Sequence, residues 1–337
     1  MSDYDDEFAG TDAGMSAIGK SGEWRSLSEV VPDCCLFDTV EPQDLEQGSI
    51  GDCWLISAFA ALAEYPMAVR NMVQKSMFGD YYTVCLYSFE SGSYKWVNVN
   101  DEVPCSGDQP LFVQPTKSNE IWPCIIEKAF AKYSGGYDQI KGGWSSFAIG
   151  ALAGTRDLVH IKLNGDECTT MTPNFTEDTL KSGVEWERGD EFSSNEAFGM
   201  LYNANKWNYL MCVGSMSGSD DTFSDEGIVQ GHAYSVLDVR RNPAMSGVNL
   251  IRLRNPWGDK EWTGAWSDGS SEWDDNPMVA ALLPHEEADD GAFWISWEDF
   301  QEQYKTIYVG KKNMGLADGP CGVPNPFVLL KSFMFAC

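Results

Sequence analysis

Cys53, His232 and Asn255 are the residues of this chain whose types and settings could together carry nucleophilic chemistry. A cysteine attacks as its thiolate, so it needs a local positive field and an imidazole partner. Cys53 follows Gly48-Ser-Ile-Gly-Asp52 and opens an apolar, Ala-rich run reaching Glu64 without Gly or Pro. That run predicts a buried helix, whose N-terminal partial charge would favour the thiolate. Gln47, six residues earlier, could donate its side-chain amide to a developing oxyanion beside the Cys53 N–H. Of the three histidines, His160, His232 and His285, His232 follows Gly231 and opens an alternating run, so its ring is expected at a strand end. Asn255 closes a second strand-like run ahead of Pro256 and Trp257. Its amide oxygen could fix the histidine tautomer without adding negative charge, and Trp257 could shield the pair from water. The chemistry such a set could perform is acyl transfer through a thioester.

These residues must be positioned by two kinds of structure. A second helix is expected over 121–133, with Pro123 in its first turn. Tyr81-Tyr-Thr-Val-Cys-Leu-Tyr87 and Tyr94-Lys-Trp-Val-Asn-Val-Asn100 read as a hairpin. Residues 141–154, with Gly142, Gly143, Gly150 and Gly154, read as a hinge, and 163–194 as a polar surface excursion. Strand-like runs follow at Tyr209–Val213, Ala233–Val239, Val248–Arg254 and Ala292–Ser296. A helix-rich half thus precedes a strand-rich half, which predicts an α+β fold in two lobes. The divisions are a tail at 1–22, a first lobe at 23–154, a second at 155–312 and an extension at 313–337.

Composition narrows the function classes. With 51 Asp and Glu against 23 Lys and Arg, the net charge is −28. That argues against nucleic acid or an anionic membrane surface as partner and suits cations. The apolar share of 43%, with 13 Trp, 17 Phe and 13 Tyr, is enough for a sizeable core. The N-terminus shows no secretory pattern, and no apolar run approaches the ~20 residues of a transmembrane helix. Ten irregularly spaced cysteines are then expected as reduced thiols in a cytoplasmic protein. Asn174-Phe-Thr fits a glycosylation acceptor and, without a secretory signal, is expected to be unmodified.

Gln47-Gly-Ser-Ile-Gly-Asp-Cys-Trp-Leu55, Gly231-His-Ala-Tyr-Ser-Val236 and Ile251-Arg-Leu-Arg-Asn-Pro-Trp-Gly258 resemble the three signature blocks of the calpain protease core. Glu261-Trp-Thr-Gly-Ala-Trp-Ser-Asp268 extends the third. The resemblance runs in order from about Trp24 to Tyr308. It implies a two-lobed, papain-like cysteine endopeptidase acting on protein substrates, with Cys53 as nucleophile, His232 as base, Asn255 orienting His232 and Gln47 in the oxyanion hole. A transglutaminase-like enzyme would carry Asp where Asn255 stands, and a non-enzymatic scaffold would have lost a member of the set. The larger calpains append further domains, for which little room follows residue 312, so a short member or a trimmed core is expected.

The resemblance further implies Ca²⁺, one ion per lobe, held by the hard oxygens such an ion requires. In the first lobe the matching carboxylates are Asp44 and Glu120, with backbone carbonyls near Phe37 and Thr39, in a loop that lacks the glycine usual in the family. In the second they are Glu261, Asp268 and Asp290. Ala292 stands where the family has a further glutamate, and Glu286, Glu287 and Asp289 are near enough in sequence to compensate.

Overall fold

The run after Asp52 does form a helix, α1 (Cys53–Ala63), and every residue from Trp54 to Ala63 is buried. A helix apolar on all sides has to be enclosed on all sides. The other elements of the first half supply part of that enclosure. They include a small antiparallel sheet of β1 (Val73–Lys75), β2 (Tyr81–Ser88) and β3 (Ser93–Asn100), then α2 (Trp122–Ser134) and α3 (Ser145–Ala153). The hairpin of β2 and β3 and the second helix fall where the sequence predicts them, with Pro123 in the first turn of α2. In this computed structural model the described residues are 22–315, apart from 78, 117–118, 177, 220 and 286. The tail at 1–22 and the extension at 313–337 therefore lie almost wholly outside them, as does Glu286.

The second half is one antiparallel sheet of eight strands. In chain order these are β4 (Leu158–Asn164), β5 (Glu167–Asn174), β6 (Glu185–Ser193), β7 (Leu210–Ser215), β8 (Ala233–Arg241), β9 (Asn249–Arg254), β10 (Ala292–Ser296) and β11 (Tyr304–Gly310). In space the order is β6-β5-β4-β11-β7-β8-β9-β10. Helix α4 (Ser194–Lys206) buries Ala197, Phe198 and Leu201 in the core of this sheet. One hydrophobic cluster joins α1, α2, α3 and the small sheet, and a second lies on the large sheet. Helix α1 packs on α3 and also on β7 and β8, so the helix that starts at Cys53 touches the strand that starts after His232. Each fully buried leucine or phenylalanine in these clusters contributes about 1.5–3 kcal/mol.

Three expectations need correction. Residues 163–194 are not an irregular excursion. They contain β5 and β6, whose side chains are mostly exposed because this hairpin is the outer edge of the sheet, so no apolar face marks them. Residues 141–154 are not a glycine hinge. Gly150 lies inside the buried helix α3, and Gly154 ends that helix in a left-handed conformation. Cys34, Cys35, Cys53, Cys105, Cys124, Cys168 and Cys212 are free thiols, but Cys85 is disulfide-bonded. Among the described residues, no helix is long and apolar enough to cross a membrane.

Candidate active site

Asp52 occupies the N-cap of α1, yet its side chain makes no capping bond. Its carboxyl turns inward and faces Glu127 of α2. Both acids are buried, and Glu127 also accepts from Val113 N at 2.9 Å. Burial pushes Asp52 up to about 7. Glu127 is held well above the usual carboxylate range, by burial first and then by the charge of Asp52. With its side chain diverted in this way, Asp52 caps α1 only through its backbone carbonyl, which accepts from Leu55 N at 2.7 Å and Ile56 N at 3.0 Å.

The cleft in front of Cys53 has a volume of about 450 Å³ and is lined by both Cys53 and His232. Its walls include Gly142 and Gly143 from the segment before α3, Ser215 from the end of β7 and Tyr308 from β11. Gly143 lies against the indole of Trp54, where a Cβ would approach the ring to 2.5 Å. The glycines taken from the sequence as a hinge are thus partly a wall of the cleft, one that only a residue without a side chain can form.

His232 precedes β8, as its alternating pattern predicts. Gly231 before it has φ +64°, and a Cβ there would stand 2.5 Å from the Gly218 carbonyl. The His232 backbone is clasped by Ser215. His232 N donates to Ser215 Oγ at 2.9 Å, and Ser215 N donates to the His232 carbonyl at 2.9 Å. The ring is 4.7 Å from the ring of Trp257, centroid to centroid, so Trp257 does cover it.

Pairing of β8 with β9 brings Asn255 alongside. His232 Nε2 donates to Asn255 Oδ1 at 2.9 Å. The same oxygen accepts from Trp257 N at 3.1 Å, while Asn255 Nδ2 donates to the carbonyls of Asp259 at 2.8 Å and Lys260 at 3.2 Å. The amide is fully buried, and these bonds leave one orientation for it. With Nε2 committed to Asn255, Nδ1 is the ring nitrogen that can exchange a proton with a thiol at the cleft.

Gln47 is tied to the same turn, its backbone N donating to the Pro256 carbonyl at 2.8 Å. Its side-chain Nε2 donates to the Ile50 carbonyl at 2.8 Å, which places one amide hydrogen in its own loop and leaves the second. The other two histidines are structural. His160 is buried against Trp186 and Tyr308, with Nε2 2.5 Å from Ser146 Oγ, and burial lowers it to about 3. His285 stacks on Trp273 at 4.5 Å. The sequence reading missed Ser215, Tyr308 and Glu127 as parts of the site's frame. None sits in a recognisable motif.

The carboxylates expected to bind metal fall in two places. Asp44 and Glu120 are buried, and Glu120 Oε1 accepts from Thr39 N at 2.8 Å and Val40 N at 3.1 Å. Asp44 Oδ2 accepts from Glu41 N at 2.6 Å. Glu261 Oε1 accepts from Gly291 N at 2.7 Å and Asp290 N at 3.2 Å, and Asp290 Oδ1 from Ala292 N at 2.9 Å. Burial, with the charges of Asp268 and Asp290, pushes Glu261 up to about 7. Among the described residues, no three acidic, histidine or cysteine side chains converge closely enough to hold a metal ion.

Comparison with known proteins agrees with this geometry. A family profile described as "Calpain family cysteine protease" matches residues 4–311. The calpain-type cysteine protease DEK1 of Zea mays is 36% identical over 300 residues, covering 85% of this chain and 12% of that protein. Calpain-12 of Mus musculus is 31% identical over 317 residues, 89% of this chain and 40% of that protein. The calpain-1 catalytic subunit of Bos taurus is 31% identical over 303 residues, 85% of this chain and 37% of that protein. The chain therefore spans well under two thirds of the length of these relatives. It belongs to the calpain family of cysteine proteases.

Proposed function

We propose that this chain is the catalytic core of a calcium-responsive, intracellular cysteine endopeptidase that makes limited cuts in protein substrates. The reading takes the fold as papain-like, with a first lobe at 23–154 and a second at 155–312. The observation that carries it is the His232 Nε2 to Asn255 Oδ1 bond at 2.9 Å, at the edge of a cleft that Cys53 also lines. Asn255 rather than an acid in that place favours peptide hydrolysis over glutamine crosslinking.

In this reading the Cys53 thiolate attacks a peptide carbonyl while His232 carries the proton. The Cys53 N–H and the second Gln47 amide hydrogen receive the oxyanion, each such donor lowering the barrier by roughly 3–4 kcal/mol in a comparable enzyme. His232 then protonates the leaving amine and activates the water that hydrolyses the thioester. The carboxamide of Asn255 holds the ring and its tautomer throughout.

The donor chemistry of both carboxylate groups suits Ca²⁺, which takes oxygen ligands. Asp44 and Glu120 would hold one ion, and Glu261, Asp268 and Asp290 another, weakened by the alanine at 292. The ion's part would be to relieve the mutual repulsion of these acids and so stiffen the loops that carry them. Those carboxylates accept backbone N–H groups, Glu120 from Thr39 and Val40 and Glu261 from Asp290 and Gly291, so binding would require local rearrangement.

The test is covalent labelling by an epoxysuccinyl thiol inhibitor, with casein cleavage measured in calcium and in EGTA. Wild type should label and cut, Cys53→Ala should do neither, and EGTA should reduce both rates. A wild type that neither labels nor cuts in calcium would remove the peptidase reading. Equal rates in EGTA would remove only the calcium part.

A further inference from the structure

The cleft that contains Cys53 and His232 is also lined by two lysines, Lys162 and Lys305, and, among the described residues, by no acidic residue. In a chain with 51 acids and 23 bases, that reverses the prevailing charge at the one place a substrate would lie. The two ammonium groups arrive by strand pairing. Lys162 on β4 stands opposite Thr306 on β11, and its Nζ donates to Thr306 Oγ1 at 3.0 Å. Lys305 is the neighbour of Thr306, and alternation alone would aim it at the other face of the sheet. A bulge prevents this. Gly214 of β7 pairs with Thr306 and Ser215 pairs with Tyr304, so Lys305 is the extra residue. Bulges of this kind re-aim a side chain, and Lys305 turns into the cleft, with Nζ donating to Ser217 Oγ at 2.7 Å.

Both lysines are half-buried, and the only side-chain acceptors they have among the described residues are hydroxyls. Lys162 is shifted down by burial and then by the charge of Lys305, with no carboxylate among the causes. Two like charges held together without a counter-ion form a site for one.

We propose that Lys162 and Lys305 form a specificity subsite that takes the carboxylate of an Asp or Glu side chain close to the bond being cut. This rests on the endopeptidase reading of the same cleft. The acidic side chain would replace a hydroxyl partner on each ammonium, forming charge-assisted bonds that a neutral isostere makes only weakly. One such exchange in a half-exposed site corresponds to roughly a tenfold preference. It should shrink as salt screens the pair.

The experiment uses fluorogenic peptides with acetylated and amidated ends, so that only side-chain carboxylates are read. Asp and Asn are compared at each position around the cut. Wild type should show an Asp-to-Asn ratio in kcat/KM of roughly ten at one position, falling between 50 and 500 mM NaCl. The ratio should fall to about one in the Lys162→Gln, Lys305→Gln double variant. Lys305→Glu should instead turn the preference at that position towards Lys. Melting temperatures of the variants, together with labelling of Cys53, show whether each is folded with a live thiol. A wild type that labels and cuts casein, yet shows a ratio of one at every position, overturns the subsite alone. So does a ratio that survives the double substitution in folded protein. A wild type that neither labels nor cuts casein overturns the subsite together with the peptidase reading.

Discussion

Ser235 Oγ donates to the carbonyl of Ser57 at 2.8 Å, joining the strand that follows His232 to the helix that starts at Cys53. Both residues are fully buried, and 178 positions separate them. The bond fixes how α1 lies on β8, and so how the thiol stands to the imidazole. Ser235→Ala should lower stability by about 1 kcal/mol and kcat/KM by several-fold. Thermal melts and peptide kinetics on the same samples check it. A lower Tm with unchanged kcat/KM would confine the bond to stability.

Asn255 has no spare capacity, since each polar atom of its carboxamide is bonded. Asn255→Ala frees the ring and should cost roughly 10–100-fold in kcat. Asn255→Asp is the more damaging change for the fold. It turns a buried carboxylate oxygen towards the Asp259 and Lys260 carbonyls, where two N–H donors now point. Its Tm should therefore fall below that of Asn255→Ala. Calorimetry of both variants decides the order.

Gly231 has φ +64° and no room for a Cβ beside the Gly218 carbonyl. Gly231→Ala should destabilise by about 1–3 kcal/mol and shift the His232 backbone off Ser215. The kinetic signature is a fall in kcat larger than any rise in KM. An alanine variant with wild-type kcat would show that the turn tolerates the change.

Asp52 and Glu127 set a pH dependence whose sign is fixed. Both are raised in the folded protein, so the native state keeps a proton that the unfolded chain releases above about pH 4. Stability contributed by this pair is complete at low pH and declines as pH rises through about 7. Glu127→Gln keeps the acceptor for Val113 N and removes one ionisable partner. Its Tm should exceed that of wild type at pH 8 by a few degrees, on the order of 1–2 kcal/mol, with the gap closing towards pH 5. A constant gap across that range would contradict the titration of this pair.

Calcium should raise Tm by mass action if the folded chain alone binds it. Glu120→Gln and Asp290→Asn separate the two carboxylate groups, and each should remove part of the rise. The second should remove less, because on the calcium reading proposed above Ala292 leaves that group one carboxylate short of the family pattern. Differential scanning calorimetry across a calcium series, with EGTA as the zero point, checks both.

Local pattern made much of this molecule legible in advance. The Ala-rich run announced α1, alternation announced β3 and β8, and Gly231-His232 and Asn255-Pro256 marked strand ends, because each signal spans a few neighbouring side chains and one burial direction. Motif order was enough to single out Cys53, His232 and Asn255 across 202 positions, from 53 to 255. Tertiary structure decided the rest. β5 and β6 read as loop because an edge hairpin buries too little to show a period. Gly143 became a wall because Trp54 lies behind it. Asp52 found Glu127, and Lys162 found Lys305, only when distant segments were brought together. Periodicity records which way a residue faces within its own element. What it faces is set by strand pairing and core packing between segments far apart in the chain, and no local run of residues carries that information.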